Sequence, residues 1–229
     1  GGAASTEAYR ALREAGETPF VGYTDLTASA RLRGIVRDGA VVPRASVGDV
    51  VEIVLEETPF YAESGGQDAD QGRITGDGVS LDVLDVQRPV PGLVVHKVQL
   101  PDGELATGAT LVAEVDAAAR HSGSQAHTAT HVVHAVLRTL LGPTAVQAGS
   151  FNKPGYLRFD FNSPTGLSAA MREELEGLSN EAIRADHPVT ATQMPLAQAK
   201  APGAMAMFRE KYPELVRMVD MGGPPSRAL

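Results

Sequence analysis

Three histidines stand four and three residues apart in the stretch HTATHVVH, residues 127 to 134. On a helix His127 and His131 fall one turn apart on one side, the spacing at which two imidazoles reach a single zinc ion. The same spacing suits a half-buried helical surface, and spacing alone leaves both readings open. His134 extends the stripe, either as a third ligand or as a neighbour that packs or hydrogen-bonds beside the site. A metalloprotease would carry a glutamate general base directly after the first histidine. Thr128 occupies that position, which sets that chemistry aside.

Two further stretches carry polar groups in unusual settings. In ETPFYAESGGQDADQG, residues 57 to 72, Gly65-Gly66 lets the backbone come close to a ligand or turn tightly, a barrel corner being the plainer account. Gln147 and Ser150, in QAGS, offer an amide and a hydroxyl just after the histidine helix, although such residues also cap and turn.

The elements that would position these groups follow from periodicity. AASTEAYRALREAG predicts a short helix with Ser5 or Thr6 as cap and Gly16 past its end. From Phe20 to about Glu114 short strands follow one another without helices between them, two of them joined by Asp38-Gly39, which predicts a small closed β-barrel. From Asp116 to Leu141 apolar residues recur at three and four, with Gly142-Pro143 as the stop. TAVQAGSF, GYLRFDFN, HPVTATQM and ELVRMVDM predict strands, and SPTGLSAAMREELEGLSNEAIRAD a second helix. The fold class is therefore α+β: a linker helix over 1–19, a β-barrel subdomain over 20–115, and over 116–229 an α+β core with helices packed on a mostly antiparallel sheet.

Length and composition bound the rest. The 229 residues suffice for two subdomains, and 43% hydrophobic with 21% charged residues describes a folded chain. Without cysteine there is no disulfide framework, and with no leader or membrane-length apolar run the expected address is cytoplasmic, without membrane contact. A net charge of −8 speaks against nucleic acid, but the excess is local. Residues 1–150 carry 11 Lys and Arg against 19 Asp and Glu, and residues 151–229 carry 9 against 9. The Gly-Gly-Ala-Ala start without methionine and the stop right after an apparent strand give the expectation of a segment of a longer protein.

Four stretches, TPFYAESGGQ, HTATHVVHAVLRTLLG, QAGSF with LRFDF, and GAMAMFREKYPELVRMVDMG, in this order and at these intervals, resemble the editing domain of alanyl-tRNA synthetase and its free-standing AlaX relatives. The resemblance covers nearly the whole chain. FREKYP departs from the more usual Phe-Gly-Glu-Lys-Tyr-Gly of that family. The resemblance implies a zinc site made by His127, His131 and a cysteine and histidine from a Cys-Gly-Gly-Thr-His motif, expected after Leu229. It implies hydrolysis of the ester joining serine or glycine to alanine tRNA. An alanine pocket cannot strongly reject the smaller glycine or serine's added hydroxyl, so a second site is needed. Zinc would orient the aminoacyl group, polarise its carbonyl or activate water. Gln147, Ser150 and Thr130 are the implied catalytic-site residues, and Glu63, Gly65, Gly66 and Gln67 line the approach of the tRNA end. ATP and alanine would be partners only of other parts of such a protein. The alternatives are a non-catalytic module that holds the tRNA acceptor end and a free-standing AlaX-type protein.

Overall fold

Alternation of small polar and branched apolar residues builds the first half of the chain. The computed structural model describes residues 2–200, 212–222 and 227–228. It divides into two units, Gly1–Gly123 and Ser124–Leu229. The first unit holds α1 (Gly2–Glu14), β1 (Thr27–Arg37), β2 (Ala40–Val42), β3 (Arg44–Ser46), β4 (Val50–Leu55), β5 (Gly72–Gly76), β6 (Val79–Val90), β7 (Leu93–Asp102), β8 (Glu104–Ala106) and β9 (Thr110–Val115). Six of the strands close a ring in the order β1-β4-β7-β6-β5-β9 and back to β1, every ladder antiparallel. The expected small barrel is present, and β1 turns into β2 through Asp38-Gly39, with Arg37 opposite Ala40.

Inside the ring, Ile35, Ile53, Leu55, Phe60, Ile74, Leu81, Leu100 and Leu111 are fully buried. Each large side chain removed from water contributes about 1.5–3 kcal/mol. Strand β9 displays the period of two plainly, with Leu111, Ala113 and Val115 buried and Thr110, Val112 and Glu114 exposed. The outer face of β1, β4 and β7 is apolar as well, and α1 covers it: Ala8 and Leu12 pack on Val36, Val54, Leu93 and Val95. The helix expected as a linker is thus packed on the barrel. It starts at Gly2, so Ser5 and Thr6 lie within it rather than capping it. Arg33 closes its C-terminus, donating to the carbonyls of Leu12, Gly16 and Glu17, groups a helix end leaves unsatisfied.

The helix α2 (Ala117–Leu141) begins in the first unit and continues into the second. The second unit adds β10 (Gln147–Lys153), β11 (Tyr156–Phe161), α3 (Ala169–Arg184), β12 (Thr190–Pro195), α4 (Leu196–Lys200), β13 (Leu215–Asp220) and β14 (Arg227–Ala228). Among the described residues its strands form two small antiparallel sheets, β10-β11 and β12-β13-β14. Helix α3 starts only at Ala169, because Ser168 caps it by accepting from the Met171 N–H, leaving the Pro164–Gly166 stretch outside. Most of FREKYP lies outside the described residues.

One buried polar residue in the barrel wall makes the fold sensitive to acid. His96 of β7 is fully buried; its Nδ1–H donates to the Ile53 carbonyl at 3.1 Å, and its Nε2 accepts from the Thr58 hydroxyl at 2.7 Å. The neutral ring is satisfied on both sides, and burial lowers its pKa from 6.5 to about 4. The unfolded chain takes up this proton first, so the stabilisation is complete above about pH 6.5 and is lost as pH falls toward 4. The loss amounts to about 3 kcal/mol. Urea denaturation at pH 7.5 and 4.5 should therefore show wild-type protein losing more stability than His96→Gln. Equal losses in the two proteins would mean that His96 titrates in the native state as it does in water.

Candidate metal and substrate site

The first turn of α2 is fixed before the histidines begin. Asp116 caps it, its carboxylate accepting from the Ala119 N–H at 2.9 Å. Arg120 follows in that turn, where the helix dipole disfavours a cation. Its guanidinium is largely buried and donates through Nε to both carboxylate oxygens of Asp70 at 2.9 and 3.0 Å. Nη1 donates to the Gly22 carbonyl and Nη2 to that of Pro59, at 2.6 and 2.8 Å, and Nη2 also contacts Asp70. Asp70 in turn accepts from the Tyr61 N–H at 2.7 Å. A cation in the wrong end of a helix otherwise poor in charge was the sequence signal for this cluster, and reasoning from motifs passed over it.

Two turns later α2 brings His127 and His131 together. Their rings stack with centroids 5.1 Å apart and planes inclined by 22°. Burial lowers the pKa of His127. His131 is lowered from 6.5 to about 4, by burial first and then by the neighbouring His127 and His134. Both rings are therefore neutral at pH 7 and each keeps a nitrogen lone pair, the state in which imidazole binds metal. The donor set fits two positions of a tetrahedral zinc site. No group of three or more His, Asp or Glu suited to a metal occurs among the described residues, and the chain has no cysteine. His134 takes the packing role: its Nε2–H donates to the Ala145 carbonyl at 3.2 Å and its ring lies 4.9 Å from that of Phe159. This contact ties α2 to the backbone two residues ahead of Gln147.

Gln147 and Ser150 are also brought together, at the start of β10, where the register against β11 shifts between Gln147 and Gly149. The Gln147 amide donates to the Ser150 hydroxyl oxygen at 2.7 Å. Thr130 is buried and spends its only proton on the Ala126 carbonyl at 2.8 Å, so it serves the helix as a back-bonded residue. Gly65, Gly66 and Gln67 share one tight hairpin of the first unit, and Glu63 directly precedes it. Ser64 and Gln67 exchange backbone hydrogen bonds of 2.9 and 3.2 Å around the two glycines, whose φ angles are 58° and 81°. Two consecutive positive φ values define the mirror-image turn that glycine pairs favour. Open space surrounds the position a Gly65 side chain would take, so the turn, not a close approach, explains that glycine. Glu63 accepts from the Gln87 amide at 2.7 Å.

Residues 2–119 match the family of tRNA synthetases class II (A). Over 223 residues the chain is 60% identical to the alanine–tRNA ligase of Cutibacterium acnes, which covers 97% of this chain and 25% of that protein. It is 54% identical to the alanine–tRNA ligase of Paenarthrobacter aurescens and 53% to that of an Arthrobacter species. Each of these matches covers all of this chain and 26% of the relative. The chain thus spans about a quarter of the length of these relatives.

The Arg120 cluster generates a stability test that needs no assay of function. Removing one partner of a buried ion pair costs about 3–5 kcal/mol, because the other charge stays buried without compensation. Arg120→Ala should lower the unfolding free energy of the first unit by that amount in urea titrations. Arg120→Lys should recover only part, since a single ammonium cannot reach Asp70, Gly22 and Pro59 in the planes the guanidinium uses. A loss below about 1 kcal/mol for Arg120→Ala, the size of an exposed pair, would contradict this account.

Proposed function

Because this chain belongs to the class II (A) tRNA synthetases, we propose that it serves the editing of alanine tRNA, by hydrolysis of the ester that joins wrongly attached serine or glycine to the terminal ribose. The observation that carries the reading is the stacked, neutral pair of His127 and His131 one turn apart on α2. These two residues would hold a zinc ion together with two ligands from outside these 229 residues, a cysteine among them. Such an ion supplies positive charge beside an ester carbonyl. ATP, alanine and the aminoacylation step belong, in this reading, to the other three quarters of the relatives' length, and the setting is cytoplasmic.

Selection for serine falls to Gln147 and Ser150. Gln147 already donates to Ser150 and both residues are only half-buried, so alanine strands no buried polar group. Serine therefore gains only the net value of an added hydrogen bond, about 0.5–1.5 kcal/mol, which is at most about tenfold in rate. Larger discrimination must come from the shape of the site. Gln147→Ala should accordingly reduce the preference for serine over alanine by no more than about tenfold while the melting temperature holds. An unaltered ratio on both aminoacyl-tRNAs would leave Gln147 as a turn residue.

The central test uses protein carrying these residues together with a following Cys-Gly-Gly-Thr-His segment. It should bind zinc far more tightly than the 229 residues alone, which offer two imidazoles and no thiolate. It should release radiolabelled serine from mischarged alanine tRNA. Chelator and His127→Ala should each abolish that release. Hydrolysis indifferent to both would sink the zinc site. No hydrolysis by zinc-loaded protein would leave a module that holds the acceptor end without cleaving it, the reading that the two-ligand donor set favours for these residues by themselves.

A further inference from the structure

The chain has only 11 aromatic residues, five Tyr and six Phe. Three of them, Phe20, Tyr23 and Tyr61, meet at one place on the first unit. Phe20 lies edge-on to Tyr23, with centroids 4.9 Å apart and planes at 77°, and edge-on to Tyr61 at 6.0 Å and 72°. Tyr23 is 65% exposed, the most exposed large hydrophobic side chain among the described residues.

The backbone beneath Tyr23 is held from several directions. The Val21 N–H donates to the Thr58 carbonyl at 2.9 Å, the Thr58 N–H to the Pro19 carbonyl at 3.0 Å, and the Asp25 N–H back to the Val21 carbonyl at 3.1 Å. Arg120 binds the Gly22 carbonyl, and its guanidinium lies 5.9 Å from the Phe20 ring centre. Gly22 is packed so closely that a side-chain carbon there would fall 2.2 Å from the Pro59 carbonyl oxygen. The loop thus presents a large, flat, solvent-facing ring from a backbone that has already lost its freedom, an arrangement that lowers the entropic cost of binding. The Tyr61 hydroxyl donates to the Ser64 carbonyl at 3.1 Å, so the cluster is continuous with the Ser64–Gln67 hairpin.

We infer that Tyr23, backed by Phe20, is a stacking platform for an unpaired nucleobase at the single-stranded end of the RNA substrate. The inference rests on the editing reading and adds to it a contact with the nucleic acid itself. The surroundings decide what kind of contact it is. Asp25 adjoins Tyr23, with its carboxylate accepting from the Thr24 hydroxyl at 2.7 Å, and Glu63 stands one residue before the hairpin. These carboxylates repel phosphate, so the attraction lies in the ring face, which tolerates any base and depends little on salt.

The experiment uses the full-length protein with wild-type Tyr23, Tyr23→Ala and Tyr23→Phe. Its probes are two fluorescent acceptor-stem hairpins, one with its unpaired 3′ end and one trimmed flush. Loss of one stacked base costs about 1–3 kcal/mol, so Tyr23→Ala should bind the hairpin with the overhang about 5- to 150-fold more weakly. Tyr23→Phe should bind it as wild type does, and all three proteins should bind the trimmed hairpin alike. The factor should be the same at low and high salt. Wild-type affinity of Tyr23→Ala for the overhang, in protein that still releases serine, would overturn the platform and leave editing intact. Wild-type protein that fails to tell the two hairpins apart would overturn the platform too, and its serine release would then report on editing separately.

Discussion

The guanidinium of Arg120 gathers three separate pieces of backbone around one buried carboxylate: the first turn of α2, the Gly22 loop, and the Pro59–Tyr61 segment, which it holds both at the Pro59 carbonyl and through Asp70 at the Tyr61 N–H. In isolation an arginine in the first turn of a helix is misplaced, at a cost of a few tenths to about 1 kcal/mol against the dipole. The bidentate contact with Asp70 outweighs that cost. A buried ion pair does not by itself make a fold more stable than an apolar pair of the same size would. Its value is directional. Five N–H groups in a plane can satisfy carbonyls and a carboxylate only in one arrangement, so the loop that carries the Ser64–Gln67 hairpin and the loop that carries Tyr23 share a single fixed base.

How far this was legible in the sequence depends on the range of the interaction. The barrel could be read because each hairpin advertises itself locally, through Asp38-Gly39 and through runs such as VVEIVL. The two strands least visible were β5, a five-residue run with glycine at both ends, and β9, whose burial alternates strictly but whose residue types do not, because apolar Val112 stands on the exposed face. These two pair with each other, and through β9 with β1, to close the ring, a pairing decided between distant residues and not within either run. The histidine spacing survived into the structure because helical geometry alone sets it. The pairing of Arg120 with Asp70, fifty residues apart, left only the indirect sign of a cation in the wrong turn. Thr130 could be read as a hydroxyl available to substrate, because a sequence does not reveal that a buried threonine has spent its proton on the preceding turn.

Burial acts on the histidines in one direction with two consequences. His96, His127, His131 and His134 all have lowered pKa values, and burial is the first cause in each. For His96 the neutral ring is a structural requirement, because protonated Nε2 could no longer accept from Thr58. For His127 and His131 burial favours the neutral ring at pH values where free imidazole would already be half protonated. Each charge brought into the pair raises the cost of the next, as the effect of His127 on His131 already indicates. As pH falls through the same range the barrel loses the stabilisation that neutral His96 supplies, so in both units burial makes the uncharged imidazole the state the fold is built around.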